Sequence, residues 1–333
     1  MRAAIVRSHG SPDSVAVETL PDPAPARGEV VVRVEAVAAN FVDLLVIGGA
    51  YQFLPRLPFI PGKLPAGTIV AVGDDAGKWR TGDRVQTLAE QGGYASRIAV
   101  PATACIRLPD AMSFTAAAAM ALAYDTAWFA IHERARAAAG ETMLVVGASG
   151  GVGLAAIQFG KACGLRVLAG VSNPDKRALV LEAGADAVID LAVPDLRDGV
   201  RRQVHDVTQG RGADIVLDML GDDFFDAAIR AVAWRGRLVV VGFAAGRIPT
   251  LKVNYVLLKN IEVSGLQISD YRKRRPDLIQ HCYCEIFRLF AEGRLRPPPT
   301  TTFSLEEVTE ALHKLKQRQV SGRIVLLPSG QAS

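Results

Sequence analysis

The stretch that most constrains this chain is Met143-Leu144-Val145-Val146-Gly147-Ala148-Ser149-Gly150-Gly151-Val152-Gly153, followed by Leu154-Ala155-Ala156-Ile157-Gln158-Phe159. The bulky apolar run reads as a buried parallel strand. A glycine-rich turn follows at once, and the next residues open a helix with an apolar stripe. Strand, glycine turn and helix in that order make a dinucleotide site. The glycines let the backbone pass close to a pyrophosphate, and the helix N-terminus offers it free N–H groups and a positive dipole end. The fingerprint reads Ala148-x-Gly150-x-x-Gly153, with Ala where the first glycine is expected. Taken alone it also suits a plain strand–helix turn. A second strand, Arg166 to Val171, arrives where a βαβ unit needs it and favours the nucleotide.

The end of that second strand bears on which nucleotide. An NAD site has an acid about 20 residues past the glycines, bonded to the ribose 2′-hydroxyl. Here the strand ends at Gly170-Val171-Ser172 with no acid, and Lys176 and Arg177 come just after. A hydroxyl and a cation suit a 2′-phosphate through charge-assisted bonds, so Ser172 and Lys176 point to NADPH. The alternative has Asp175 holding an NAD ribose while the two cations solvate the next helix.

A length of 333 residues suggests two domains. Half the residues are hydrophobic, and a net charge of +4 is too mild to argue for a nucleic acid or a membrane. Cys105, Cys163, Cys282 and Cys284 form no disulfide or zinc framework. His281-Cys282-Tyr283-Cys284 falls in an expected helix, Asp277 to Ala291, where residues two apart point to opposing sides, so no metal is expected there. No signal peptide is read, and no apolar run is both long and uninterrupted enough for a span. The expectation is a cytosolic protein.

Residues 1 to about 120 are rich in strands and turns. Met1–Val6 with Val15–Glu18 read as a hairpin, Glu29–Ala38 as a long strand, and Thr68–Gly73, Asp83–Thr87 and Tyr94–Val100 continue the pattern. Gly and Pro between them suggest a compact, irregular barrel. A helical stretch with a break is expected from Thr115 to about Ala139. Strands at 187–190, 215–218, 237–242 and 261–265 then alternate with helices and bring the sheet to about six, the number of a full doubly wound sheet. Arg272-Lys273-Arg274-Arg275 reads as a solvated loop. A helix is expected from Ser304, with Glu307 completing a capping box, and a terminal strand, Arg323–Leu327, returns to the first domain. The expected fold is α/β: a β-rich domain formed by 1–122 and 266–333, interrupted by a doubly wound Rossmann domain at 123–265.

The assembled pattern resembles the medium-chain dehydrogenase/reductase superfamily, specifically its zinc-free quinone oxidoreductase (zeta-crystallin-like) branch. The resemblance covers nearly the whole length. Its carriers are Ala39-Asn40-Phe41-Val42-Asp43, Tyr51, Pro58-Phe59-Ile60-Pro61-Gly62, Gly82-Asp83-Arg84-Val85, Gly92-Gly93-Tyr94-Ala95, the glycine turn, and Gly236 to Phe243. It implies a GroES-like catalytic domain, an active site in the cleft beside the Rossmann domain, NADPH as cofactor and, commonly, a homodimer. Two departures stand out. Leu64 replaces an acid the family often has, and Leu191 stands where a Tyr commonly contacts the adenosine phosphate.

Zinc alcohol dehydrogenases need Cys and His ligands in the first domain; Asn40 and Lys63 occupy those regions here. With no Lewis acid to polarise a simple ketone, the substrate is expected to accept hydride unaided. Quinones fit because the product anion is delocalised. Conjugated enones and enals fit next, and an NADPH-binding protein with a structural or nucleic-acid-binding role, using Arg272 to Arg275, is the third reading. Tyr51 is the candidate hydroxyl donor, or else an aromatic lid over the nicotinamide. By resemblance Asn40 and Asp43 position Tyr51 and the nicotinamide; turn chemistry is their plainer reading. Ser149, Gly150, Gly151 and Val152 are expected on the pyrophosphate. Gly242, Phe243 and Ala244 are expected to approach the nicotinamide, with Leu220, Gly221, Leu266 and Gln267 lining the same groove. Arg323 is read either as a phosphate ligand or as a surface residue.

Overall fold

The structure, a computed structural model, describes residues 1–330. The chain forms two compact units, Met1–Leu122 joined by the chain from Pro297 onward, and Ala123–Arg296. The first begins with an antiparallel hairpin, β1 (Arg2–Val6) on β2 (Val15–Thr19). β3 (Glu29–Ala39) is the organising strand, buried along most of its length. It pairs with β4 (Ala66–Val72), with register shifts at Val31/Val32 and Val34/Ala36. Such irregularities bend a strand. The end of β3 leads directly into a short helix, α1 (Phe41–Ile47). β5 (Arg84–Thr87) lies on β4, β6 (Arg97–Pro101) on the first half of β3, and β7 (Cys105–Arg107) on β5. The sequence gives no sign of β7, because three residues are too few to show alternation.

α2 (Phe114–Trp128) runs on into a π-helical turn, Phe129–Arg134, so the expected helix ends five residues short of Ala139. Arg136, at φ +49°, closes it. Contrary to the sequence reading, Phe114–Arg134 is long and apolar enough to span a membrane, but 78% of its most apolar window is buried inside the protein. It packs as a core helix.

The second unit alternates strand and helix: β8 (Thr142–Val146), α3 (Gly151–Ala162), β9 (Arg166–Val171), α4 (Arg177–Glu182), β10 (Ala187–Asp190), α5 (Leu196–Val207), β11 (Ala213–Asp218), α6 (Asp222–Ala231), β12 (Val232–Val240), α7 (Asn254–Lys259) and β13 (Glu262–Gly265). All six strands are parallel, in the order β10-β9-β8-β11-β12-β13. That order reverses between β8 and β11, and the crevice beyond their C-terminal ends is where such sheets bind ligands. Leu144, Val146, Leu168, Val216 and Leu238 form part of the core on one face.

The chain does not leave this unit at 266. Two further helices, α8 (Ile268–Arg274) and α9 (Pro276–Ala291), stay with it. The physical ties are a buried ion pair, Arg272 with Asp125 at 2.6 Å, and a half-buried bond in which the Trp128 indole N–H donates to Glu285 at 2.6 Å. Arg272–Arg274 is therefore the end of a helix and not a loop, with Arg272 turned inward, while Lys273, Arg274 and Arg275 are exposed as expected. The chain then adds β14 (Thr300–Ser304), α10 (Val308–Lys316) and β15 (Arg323–Leu327) to the first unit. Ser304 ends a strand rather than starting a helix; Glu307 accepts from its N–H at 2.7 Å, one half of a capping box, but the hydroxyl donates to Glu307 at 2.7 Å instead of accepting from the Glu307 N–H. β15 lies between β14, parallel to it, and the last residues of β3, antiparallel to it.

Candidate functional site

In the second unit the crevice begins where β8 ends. Gly147 makes the turn at φ +90°, a left-handed conformation that a side chain resists. Its N–H and that of Ala148 bond to the Gly170 carbonyl, which ties the turn to β9. The first glycine of the fingerprint is thus Gly147, one position before the expected Ala148. The glycines follow the spacing Gly-x-x-Gly-x-x-Gly, at 147, 150 and 153. Gly153 packs onto the turn, where a Cβ would lie 2.5 Å from the Gly147 oxygen. Gly150 differs. Its φ of −79° suits any residue, and a Cβ there would meet nothing nearer than the Gly147 oxygen at 3.5 Å. Neither backbone nor packing requires glycine at 150. The space it leaves open lies at the N-terminus of α3, where free N–H groups favour an anion. Ser149, Gly151 and Val152 are half-buried around it.

Ser172 is exposed just past β9, and Lys176 is half-buried at the end of a short turn, Pro174–Lys176. Asn173 caps that turn through the Asp175 N–H, and Asp175 points into solvent. Leu220 covers the glycine turn, its side chain 3.0 Å from where a Gly147 Cβ would sit. Gly221 gives room to the Phe243 ring, which lies 2.8 Å from its missing Cβ. Gly242, Phe243 and Ala244 follow β12, and the Ala244 N–H bonds to the Met219 carbonyl at 3.1 Å. The Leu266 N–H bonds to Val240, and Gln267 caps α8 by accepting from Ser269 at 3.0 Å. Within this unit the expected cofactor residues therefore fall on the loops after β8, β9, β11, β12 and β13, all at the C-terminal edge of the sheet. The arrangement fits an extended dinucleotide with its pyrophosphate at Gly150.

The first unit holds a different construction. Asn40 follows β3 as the N-cap of α1, and Asp43 lies one turn on in that helix; both are buried. One Asp43 oxygen accepts from the Asn40 N–H and from the Tyr94 hydroxyl, each at 2.8 Å. The Asn40 amide donates to the Ala38 carbonyl at 3.0 Å, and its oxygen accepts from Arg323 at 2.5 Å. Burial pushes the Asp43 carboxyl above its ordinary value, while the Asn40 N–H, the Lys63 charge and the Tyr94 hydroxyl pull it back. Burial, with Asp43 beside it, holds the Tyr94 hydroxyl well above its usual value, so Tyr94 stays a donor. Lys63 is itself buried and donates to the Glu90 carboxylate at 2.7 Å.

One expectation changes here. Arg323 is not a surface residue: it is only 8% exposed, and its guanidinium bonds to Asn40, because β15 places it beside the end of β3. Asn40 and Asp43 bond to the protein's own groups. Tyr94 and Arg323, which complete the network, carry no local signal linking them to Asn40. Tyr51 is half-buried in the turn after α1, against the cluster containing Val46, Ile47 and Phe59. Among the described residues no group of three or more His, Cys, Asp or Glu is placed to hold a metal. The basic cluster is also broken up: Arg272 lies on Asp125, Arg275 on Asp277 at 2.7 Å, and Arg274 approaches Asp270 at 3.8 Å.

A β-rich unit interrupted in sequence by a doubly wound unit with a glycine-turn crevice is the chain order of the dehydrogenase/reductase class of oxidoreductases. Residues 26–110 match the alcohol dehydrogenase GroES-like domain, and residues 151–282 match the family described as zinc-binding dehydrogenase. A quinone oxidoreductase-like protein 2 homolog of Nematostella vectensis is 35% identical over 301 residues, 90% of this chain and 81% of its own. A quinone oxidoreductase of Pseudomonas aeruginosa is 32% identical over 96% of this chain and 98% of its own. The crystal structure of Escherichia coli quinone oxidoreductase complexed with NADPH superposes with a TM-score of 0.91 at 26% identity, covering 98% of this chain and 100% of that one. The chain belongs to the medium-chain dehydrogenase/reductase superfamily, in its quinone oxidoreductase-like branch.

Proposed function

We propose that this protein is an NADPH-dependent reductase that delivers hydride to a quinone without the help of a metal ion. The observation that carries the reading is the open space at Gly150, kept by a glycine that the fold does not itself require. When bound, NADPH supplies the hydride from its nicotinamide C4. The chain's own residues bind, orient and exclude water. Ser149 to Val152 hold the pyrophosphate through backbone N–H groups, and Ser172 and Lys176 take the 2′-phosphate. Leu220, Gly221, Gly242, Phe243, Ala244, Leu266 and Gln267 form the wall of the nicotinamide groove. Tyr51 donates the hydrogen bond that orients the acceptor's carbonyl. Asn40 and Asp43 act as positioning residues, fixing the start of α1 ahead of Tyr51.

The donor chemistry supports the metal-free part. Asn40 is engaged by Arg323 and Ala38, and Lys63 by Glu90, so neither zinc-ligand region presents a soft or imidazole donor. The reading includes a homodimer. In support, β13 is an edge strand of its sheet, and α7 beside it exposes Leu257 and Leu258, with Val253 just before, all more than 70% accessible. An exposed apolar patch beside an unpaired edge suits a second copy. The test is NADPH oxidation followed by absorbance with p-benzoquinone or with a conjugated enone. Turnover of the quinone, with kcat lowered in Tyr51→Phe, is expected. Faster turnover of the enone moves the substrate class, and turnover of neither removes the proposal. Sedimentation of the purified protein at twice the monomer mass is expected for the dimer.

A further inference from the structure

Asp218 lies at the C-terminal end of β11, next to β8, where the strand order reverses. Nothing in the mechanism above uses it. The residue is fully buried. Its Oδ1 accepts the N–H groups of Leu220 at 2.9 Å and Gly221 at 3.0 Å. Its main-chain oxygen accepts those of Val241 at 2.8 Å and Gly242 at 3.3 Å. The two loops that these bonds anchor are also tied to each other, Ala244 to Met219 and Ala245 to Leu220. One residue therefore holds both loops of the nicotinamide wall.

The chemistry of the side chain is the telling part. Oδ2 is buried with no hydrogen-bond partner among the described residues. Burial pushes the carboxyl up to about 6, opposed by the two N–H groups. No ionised side chain among the described residues acts on it. A buried carboxyl with one unsatisfied oxygen costs stability. An asparagine would accept the same two N–H groups without that charge. What only the carboxylate adds is charge-assisted strength in both bonds, and groups kept at such a cost cluster at functional sites.

We propose that Asp218 is a positioning residue for the nicotinamide end of NADPH, its carboxylate clamping the Leu220–Gly221 turn and, through it, the Gly242–Ala244 loop. The inference rests on the reading that this crevice takes NADPH. It adds a residue that acts only through the two loops.

The experiment measures NADPH affinity by calorimetry from pH 5 to pH 8 for the full-length protein, Asp218→Asn and Asp218→Ala. Asp218→Asn is expected to bind about tenfold more weakly at pH 7.5 and to converge on the wild type near pH 5, where both side chains are uncharged. Asp218→Ala is weaker still at every pH. Comparing variants at each pH cancels the titration of the cofactor's own phosphate. If Asp218→Ala does not fold, Asp218→Asn, which keeps an acceptor for both N–H groups and removes only the charge, decides alone. An Asp218→Asn affinity within twofold of the wild type throughout overturns this inference alone. If the wild type itself fails to bind NADPH, the reading of the crevice falls first and this inference with it.

Discussion

Gly150 in the second unit and Gly62 in the first stand in opposite surroundings. A side chain begun at Gly150 would meet only the Gly147 oxygen, at 3.5 Å. One begun at Gly62 would lie 2.3 Å from a Tyr94 ring carbon, at a backbone φ of +92°. The first glycine leaves open the place proposed for the pyrophosphate. The second makes way for the chain itself, letting the Tyr94 ring come in to reach Asp43. Similar glycine-rich loops thus serve a binding crevice in one unit and a closed polar network in the other.

Substitutions can break this contrast. The largest effect is expected at Gly62→Ala, where a strained φ and a clash with Tyr94 act together. A loss of more than about 4 kcal/mol in denaturant unfolding is expected, and a loss below about 1 kcal/mol would mean that the network is loosely packed.

Next is the pH dependence of Asp218→Asn. The folded value of about 6 lies above the ordinary 3.8, so the native state keeps this proton longer than the unfolded chain. Wild-type stability from this group is therefore full below about pH 4, falls as pH rises to about 6 and stays reduced above. The variant does not titrate there. Its stability relative to the wild type is expected to rise by about 3 kcal/mol between pH 3.5 and pH 7.5, read from paired unfolding curves.

Arg323→Met withdraws the donor from the buried Asn40 oxygen and is expected to cost about 2 kcal/mol. It is also expected to leave NADPH affinity near the wild-type value, because Arg323 belongs to the first unit's network. A large loss of affinity would restore Arg323 as a phosphate ligand. The smallest stability change belongs to Gly150→Ala, within about 0.5 kcal/mol of the wild type. Its NADPH affinity is expected to fall by about tenfold or more, since the methyl group projects where the pyrophosphate approaches. A variant that binds normally would strip Gly150 of its significance.

The same contrast explains what the sequence revealed. The crevice is made of local pieces. An apolar run, a turn and a helix start lie within twenty residues, and the strands that follow recur with their helices, so the doubly wound sheet was legible. Even there a one-residue slip hid Gly147, because Ala148 and Gly147 both suit a tight turn. Asp218 was passed over, although an acid closing the apolar run Ile215-Val216-Leu217 is itself out of place. The network of the first unit had no such signature. Asn40 and Arg323 are 283 positions apart, and only the pairing of β3 with β15 brings them together. The short strands β7 and β14 and the buried Arg272–Asp125 pair were invisible for a related reason: each is defined by its partner and not by its own pattern.

The place of β15 between β14 and β3 sets an order of events during synthesis. The second unit is one continuous segment and can complete itself while the tail is still being translated. The first unit cannot, since Asn40 waits for Arg323. A stalled nascent chain that stops short of Arg323 should therefore resist protease across residues 123–296 while residues 29–47 remain cleavable. The interrupted unit is begun first and finished last, against the usual N-terminal-first sequence of domain folding.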